Sequence, residues 1–218
     1  MYRMKRILSV LLTTLFALSL KAQTTQETAK QILDNATAAF RANGGVKINF
    51  TVKIITKSPS SREIQGAIQL KGEKFLLKTS DTVTWFDGKT QWSYWIENGE
   101  VNITTPTAKE LQSINPYTLL SLYRNGLEYK QGTTVQFQGK PVYEIILKAV
   151  AKSEQDISSI RLYIAKESYQ PLYMAMEQRE GNRSEITVTN YQNRQKYDDT
   201  LFTFDKKNYP SVEIIDLR

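Results

Sequence analysis

The chain has 218 residues with no cysteine and no histidine, ample for one core that needs no disulfide staples and without a thiol nucleophile, a lipidated N-terminal Cys or the commonest general base and metal ligand. Its formal charge of +7 comes from 29 basic and 22 acidic residues, and four of the basic ones, Arg3, Lys5, Arg6 and Lys21, stand in the first 21 positions with no acidic residue among them. The 25 basic residues beyond them alternate with Glu and Asp along the whole chain, so the dense basic stripe of a nucleic-acid surface is missing.

Arg3, Lys5 and Arg6 precede an apolar run from Ile7 to Leu20 that ends in Lys21-Ala22-Gln23. A basic start, a short apolar stretch and a small residue before the break form a secretory leader. The run is shorter than the roughly 17–25 residues of a membrane span and carries Ser and Thr. The expected organisation is therefore a signal peptide over residues 1–22 and a single domain over 23–218, exported and free in solution.

Thr25 to Asn43 reads as an amphipathic helix, with Ala29, Ile32, Leu33, Ala36, Ala39 and Phe40 at three- and four-residue spacing and Asn43-Gly44-Gly45 as its stop. A period of two then takes over. Val46, Ile48, Phe50, Val52 and Ile54 fall on one face and Lys47, Asn49, Thr51 and Lys53 on the other. After a turn at Ser58-Pro59-Ser60-Ser61 the pattern repeats as Ile64, Gly66, Ile68 and Leu70, up to a break at Lys71-Gly72-Glu73. Phe75-Leu76-Leu77, Thr82 to Phe86, Gln91 to Ile96 and Val101 to Thr104 are short strands between Ser80-Asp81, Asp87-Gly88 and Asn98-Gly99. Loops this short cannot make a parallel crossover, so the run is an antiparallel meander.

Thr107 to Gly126 interrupts it with helix formers, Pro116 in a first turn and Leu119, Leu120, Leu122 and Tyr123 behind it, which predicts two short helices. Strand patterns return at Leu127 to Lys130, Thr133 to Phe137, Val142 to Val150, Ile157 to Ala165, Pro171 to Gln178, Ser184 to Tyr191 and Val212 to Leu217. The expectation is a mainly β fold: about eleven strands in one curved antiparallel sheet, an unclosed half-barrel with three helices on its concave face. A curved sheet that its own side chains do not fill encloses an apolar cavity.

No catalytic constellation emerges. Gly88-Lys89-Thr90 lacks the glycine a P-loop needs five positions earlier, where Val83 stands, and it leads into a strand rather than a helix. Asp198-Asp199 reads as a turn pair. A secreted β-rich hydrolase is disfavoured by the missing His, Cys and Gly-x-Ser-x-Gly elbow, and neither a metal nor a cofactor is expected. Trp92 and Tyr94 alternate with Gln91 and Ser93 and share one face, which fits core packing or contact with a ligand equally. Met174 and Met176 are flexible fillers that read as core.

Asp87-Gly88-Lys89-Thr90 followed by Trp92 and Tyr94 resembles the DGKxxWxY signature of the LolA periplasmic lipoprotein carriers. Around it, Phe50-Thr51-Val52-Lys53, Gly66, Asn115-Pro116, Arg183-Ser184 and the closing Leu201-Phe202-Thr203-Phe204 with Pro210 and Val212 resemble the same family, over essentially the whole mature chain. The resemblance implies a monomeric periplasmic carrier, not an enzyme. Such a carrier takes acylated lipoproteins from an inner-membrane lipoprotein-releasing transporter, shelters their acyl chains, and delivers them to the outer membrane or an acceptor there. It places the acyl-chain cavity at Phe50, Val52, Ile68, Leu70, Phe75, Leu77, Trp92, Tyr94, Leu119, Leu120 and Leu122. A periplasmic lipid sensor or envelope binding module on the same half-barrel is the alternative. One departure stands out: the family's Arg-Pro pair, whose arginine helps hold the lid, falls on Gly72-Glu73, leaving Arg62 and Lys71 as candidate replacements.

Overall fold

Alternating apolar and polar residues, broken by turn formers every few positions, generate strands that pair with their chain neighbours. In the computed structural model, which describes residues 28–42, 44–56, 61–108, 110–111, 127–149 and 157–218, these strands join into one sheet. They are β1 Gly45–Ile55, β2 Arg62–Lys71, β3 Lys74–Thr79, β4 Thr82–Phe86, β5 Gln91–Trp95 and β6 Glu100–Thr104, then β7 Leu127–Phe137, β8 Lys140–Ala149, β9 Ile157–Ala165, β10 Pro171–Gln178, β11 Arg183–Gln195 and β12 Glu213–Asp216. Their order across the sheet is β12-β6-β5-β4-β3-β2-β1-β11-β10-β9-β8-β7. Two meanders thus meet where β1 pairs with β11, and the sheet is an unclosed half-barrel with β12 at one edge and β7 at the other.

The count is twelve strands among the described residues rather than about eleven. Leu127 to Lys130 and Thr133 to Phe137 are one strand, β7, with an irregular register between Gln131 and Thr134 that lets it bend without breaking. The sheet is also not wholly antiparallel. β12 lies parallel to β6, Glu213 opposite Glu100 and Asp216 opposite Ile103. The chain reaches that edge after two 3-10 turns, Asp199–Phe202 and Lys206–Asn208, which were not anticipated.

Residues 28–42 form the helix α1. Ala29, Ile32, Leu33, Ala36 and Phe40 are buried, as the spacing requires, and Ala39 is half-buried. The first half of α1 covers Leu127, Ile145, Leu147, Ile160, Leu162, Ile164 and Met174 of β7 to β10. Phe40, near its end, covers Val46, Ile48, Ile68, Leu70, Phe75 and Phe86 of β1 to β4. One helix therefore bridges both meanders from the same side. A second helix opens at residue 108, with Thr107 and Glu110 as its capping box. The rest of the predicted 107–126 segment and the 1–22 leader lie outside the described residues.

Candidate functional site

Strand pairing decides which side chains share the face under α1, because residues paired across a ladder point the same way. Val46, Ile48, Phe50 and Val52 of β1 stand opposite Leu70, Ile68, Gly66 and Ile64 of β2. Leu70 and Ile68 stand opposite Phe75 and Leu77, and these opposite Phe86 and Thr84. On the other side Ile48, Phe50 and Val52 pair with Tyr191, Val188 and Ile186 of β11, and Ile186 pairs with Met174. An apolar wall thus runs continuously across the centre of the sheet. A register shift between Asn49 and Phe50 puts a bulge in its middle, and a bulge sharpens local bending.

Burial is graded along this wall. Ile68, Leu70 and Phe75 are at most 3% exposed and form its floor beneath Phe40. Phe50, Val52 and Leu77, together with Ile186, Val188 and Met176, are only half-buried. These leave apolar surface on the concave side that the described helix does not fill. Gly66 has a local reason: a Cβ there would lie 2.5 Å from Cζ of Phe50, so the glycine is the space in which the Phe50 ring rests.

Trp92 and Tyr94 are on the opposite face. Trp92 pairs with Trp85 and Tyr94 with Val83, and that set packs on Leu76 of β3 and on Phe202, Phe204 and Tyr209 of the C-terminal segment. Trp85 meets Phe204 and Tyr209 edge-on with ring centroids 5.5 Å apart, and Tyr94 lies 5.1 Å from Tyr209. The two aromatics pack half-buried on the convex side, away from the face under α1, because the 3-10 segment covers a face that sequence alternation alone leaves unassigned. The Phe202 and Phe204 close of the chain is the cover. Leu119, Leu120 and Leu122 lie outside the described residues. Residues from β10 and β11, Met174, Met176, Ile186, Val188 and Tyr191, share the concave face but were not singled out as ligand contacts; their alternation was the available signal.

The signature turn has a structural job. The Asp87 carboxylate accepts from the backbone N–H groups of Lys89 and Thr90, both at 2.8 Å, and Gly88 sits at φ +102°. That geometry locks the β4–β5 hairpin. The candidate lid donors are also committed elsewhere. Arg62, at the start of β2, pairs with Asp81 in the β3–β4 turn. Lys71 donates to the Tyr197 carbonyl at 2.9 Å and to Asp199 at 2.8 Å, and Lys74 donates to the same carboxylate at 2.7 Å. Their hydrogen bonds hold the Asp199 carboxyl down to about 2. Gly72, at φ +59°, makes the tight turn that aims both lysines at it. Asp199 is thus a clamp for the C-terminal cover, a role its reading as a turn residue did not include.

Where the second helix begins, the Glu110 carboxylate accepts from the Thr107 backbone N–H at 2.7 Å and from its hydroxyl at 2.8 Å, bonds that lower the Glu110 pKa. Leu111 follows onto the concave apolar cluster. Among the described residues no three His, Cys, Asp or Glu side chains are grouped to hold a metal ion.

No curated protein sequence matches the chain. Among solved structures it is similar to an uncharacterized conserved protein from Thermus thermophilus, 11% identical, with a TM-score of 0.61 over 87% of this chain and 99% of that one. It is more distantly similar to the Mycobacterium tuberculosis lipoprotein LppX, 11% identical, TM-score 0.49, over 79% and 98% of the two chains. A LolA superfamily protein from Nitrosomonas europaea is 10% identical, TM-score 0.46, over 81% and 97%. At this identity the first of these likenesses, with its TM-score of 0.61, bears on the fold alone. The family rests on sequence: the profile of the outer membrane lipoprotein carrier protein LolA matches residues 18–182, most of the chain, and the chain belongs to that family.

Proposed function

We propose that this protein is a periplasmic carrier that shelters the acyl chains of lipoproteins on its concave face and moves them from the inner to the outer membrane. The observation that carries the reading is the half-buried apolar belt of Phe50, Val52, Leu77, Ile186, Val188 and Met176 beside a helix-covered floor. Each CH₂ moved out of water is worth about 0.8 kcal/mol, so an acylated anchor needs such a surface to cross an aqueous space. Release requires that the cover open at modest cost. A helix that starts at 108 on a capping box and directs Leu111 at the belt suits a movable cover.

Export rests on the leader-like residues 1–22, which also match the secretory layout. The partners in this reading are acylated lipoproteins, an inner-membrane lipoprotein-releasing transporter and an outer-membrane acceptor. Phe50, Val52, Ile68, Leu70, Phe75 and Leu77 are the acyl-chain residues in this reading, with Ile68, Leu70 and Phe75 as floor; Leu119, Leu120 and Leu122, expected from the sequence, lie outside the described residues.

The test is extraction of the protein from the envelope followed by mass spectrometry of what accompanies it, with lipoprotein location followed on its depletion. Bound acylated peptide and lipoproteins retained in the inner membrane are expected. A consistently empty protein, with lipoprotein location unchanged, would refute the carrier reading.

A further inference from the structure

The concave face is not apolar throughout. Phe86 pairs with Gln91 and Thr84 with Ser93, and Gln91 and Ser93 pair in turn with Thr104 and Asn102 of β6. Since Phe86 belongs to the cluster beneath Phe40, these polar side chains share the concave face with Leu77. Beyond Phe86 the wall therefore changes character, to a strip of Thr84, Gln91, Ser93, Asn102 and Thr104.

Two atoms in that strip are enclosed and have no hydrogen-bond partner among the described residues: Oε1 of Gln91 and Oδ1 of Asn102. The Gln91 amide nitrogen donates to the Ser93 hydroxyl at 3.1 Å, which leaves its carbonyl oxygen as the free end. Buried carbonyl oxygens without donors are costly and rare in folded proteins. Both groups are acceptors, on adjacent strands and diagonal to each other across the β5–β6 pair.

We propose, building on the lipid-carrier reading, that this strip seats the head of the bound lipid and selects ligands that present an N–H or O–H donor where the acyl chains begin. An N-acylated amino terminus supplies amide donors there, and an acylglycerol or glycolipid supplies hydroxyls. A simple ester of the same chain supplies neither and leaves both oxygens unpaired. Sites built to hydrogen-bond a donor reject the analogue that lacks it far better than apolar pockets distinguish chain lengths.

The experiment is displacement of a dansyl-labelled fatty acid from the full chain by three single-chain competitors: an N-palmitoylated dipeptide ester, monopalmitoylglycerol and methyl palmitate. At least one donor-bearing competitor should displace the probe about tenfold better than methyl palmitate, consistent with pairing one buried acceptor. Preference for the amide alone identifies a lipoprotein-type anchor, and preference for the glycerol alone identifies a hydroxyl headgroup; either supports the proposal. In Q91L/N102L the preference should vanish while methyl palmitate binds as before. Removing unpaired buried acceptors should also raise Tm by about 2–4 °C in the empty protein. Equal displacement by all three competitors, or a fall in Tm of the variant, overturns the proposal and leaves the carrier reading intact. Failure of the labelled fatty acid and every competitor to bind overturns both.

Discussion

Leu76 and Leu77 are consecutive on β3 and face opposite sides of the sheet, which makes them an internal control for the proposed role of the concave face. Leu76 is 3% exposed and packs on Trp85 and Phe202, whereas Leu77 is half-buried in the concave cluster. Leu→Ala removes about three CH₂ equivalents at about 0.8 kcal/mol each. At Leu76 the full transfer term plus a cavity gives a loss of about 3 kcal/mol, or a Tm lower by about 6–12 °C for a chain of this size. At Leu77 roughly half the transfer term applies, so about 1 kcal/mol and about 2–4 °C are expected. Binding should rank the other way. Losing two CH₂-sized contacts with an acyl chain weakens affinity about tenfold at Leu77 and leaves it unchanged at Leu76. Thermal unfolding and displacement of a labelled fatty acid, measured on both variants, decide the matter. Equal loss of binding in the two, or greater loss in Leu76→Ala, would refute the concave-face assignment.

Asp199 has a depressed folded pKa, so the stabilisation from its ties to Lys71 and Lys74 is fully present above its ordinary value of 3.8 and lost as pH falls through about 2. An NMR titration of the carboxylate should give the low midpoint, and a midpoint at the ordinary value would remove the clamp. Asp87→Ala deletes the acceptor for two backbone N–H groups and should lower stability by about 1–2 kcal/mol in denaturant titration, without altering lipid affinity. Gly66→Ala places a methyl group against the Phe50 ring; overpacking of about 1–3 kcal/mol, together with a shifted chemical environment for Phe50, is the expected result. Thr107→Ala removes the cap of the helix that opens at residue 108, a change worth about 1 kcal/mol. It should speed amide exchange at 110 and 111 while leaving β1 to β3 protected, and an unchanged exchange rate there would count against the capping box.

Much of the architecture was already legible in the chain. The change of period from the α1 pattern to the Val46-to-Ile54 alternation, and the turn formers at 72, 88 and 99, determined helix and strands because backbone geometry turns periodicity directly into faces. Local patterning also placed part of the concave floor, since Ile68 and Leu70 alternate with Gln69 and Lys71, whereas Phe75 is followed by Leu76 and Leu77 and takes its face from its pairing with Leu70. What it could not fix was which face of each later hairpin turns inward. β4 and β5 carry large apolar or aromatic residues on the convex side, Trp85, Trp92 and Tyr94, because Phe202, Phe204 and Tyr209 return from more than a hundred residues away to cover them. The parallel pairing of β12 and the Lys71–Asp199 clamp depend on the same return. Periodicity acts over a few residues, whereas the choice of face depends on contacts between distant segments, so only the tertiary structure put Trp92 and Tyr94 on the convex side and Gln91 and Asn102 on the concave one.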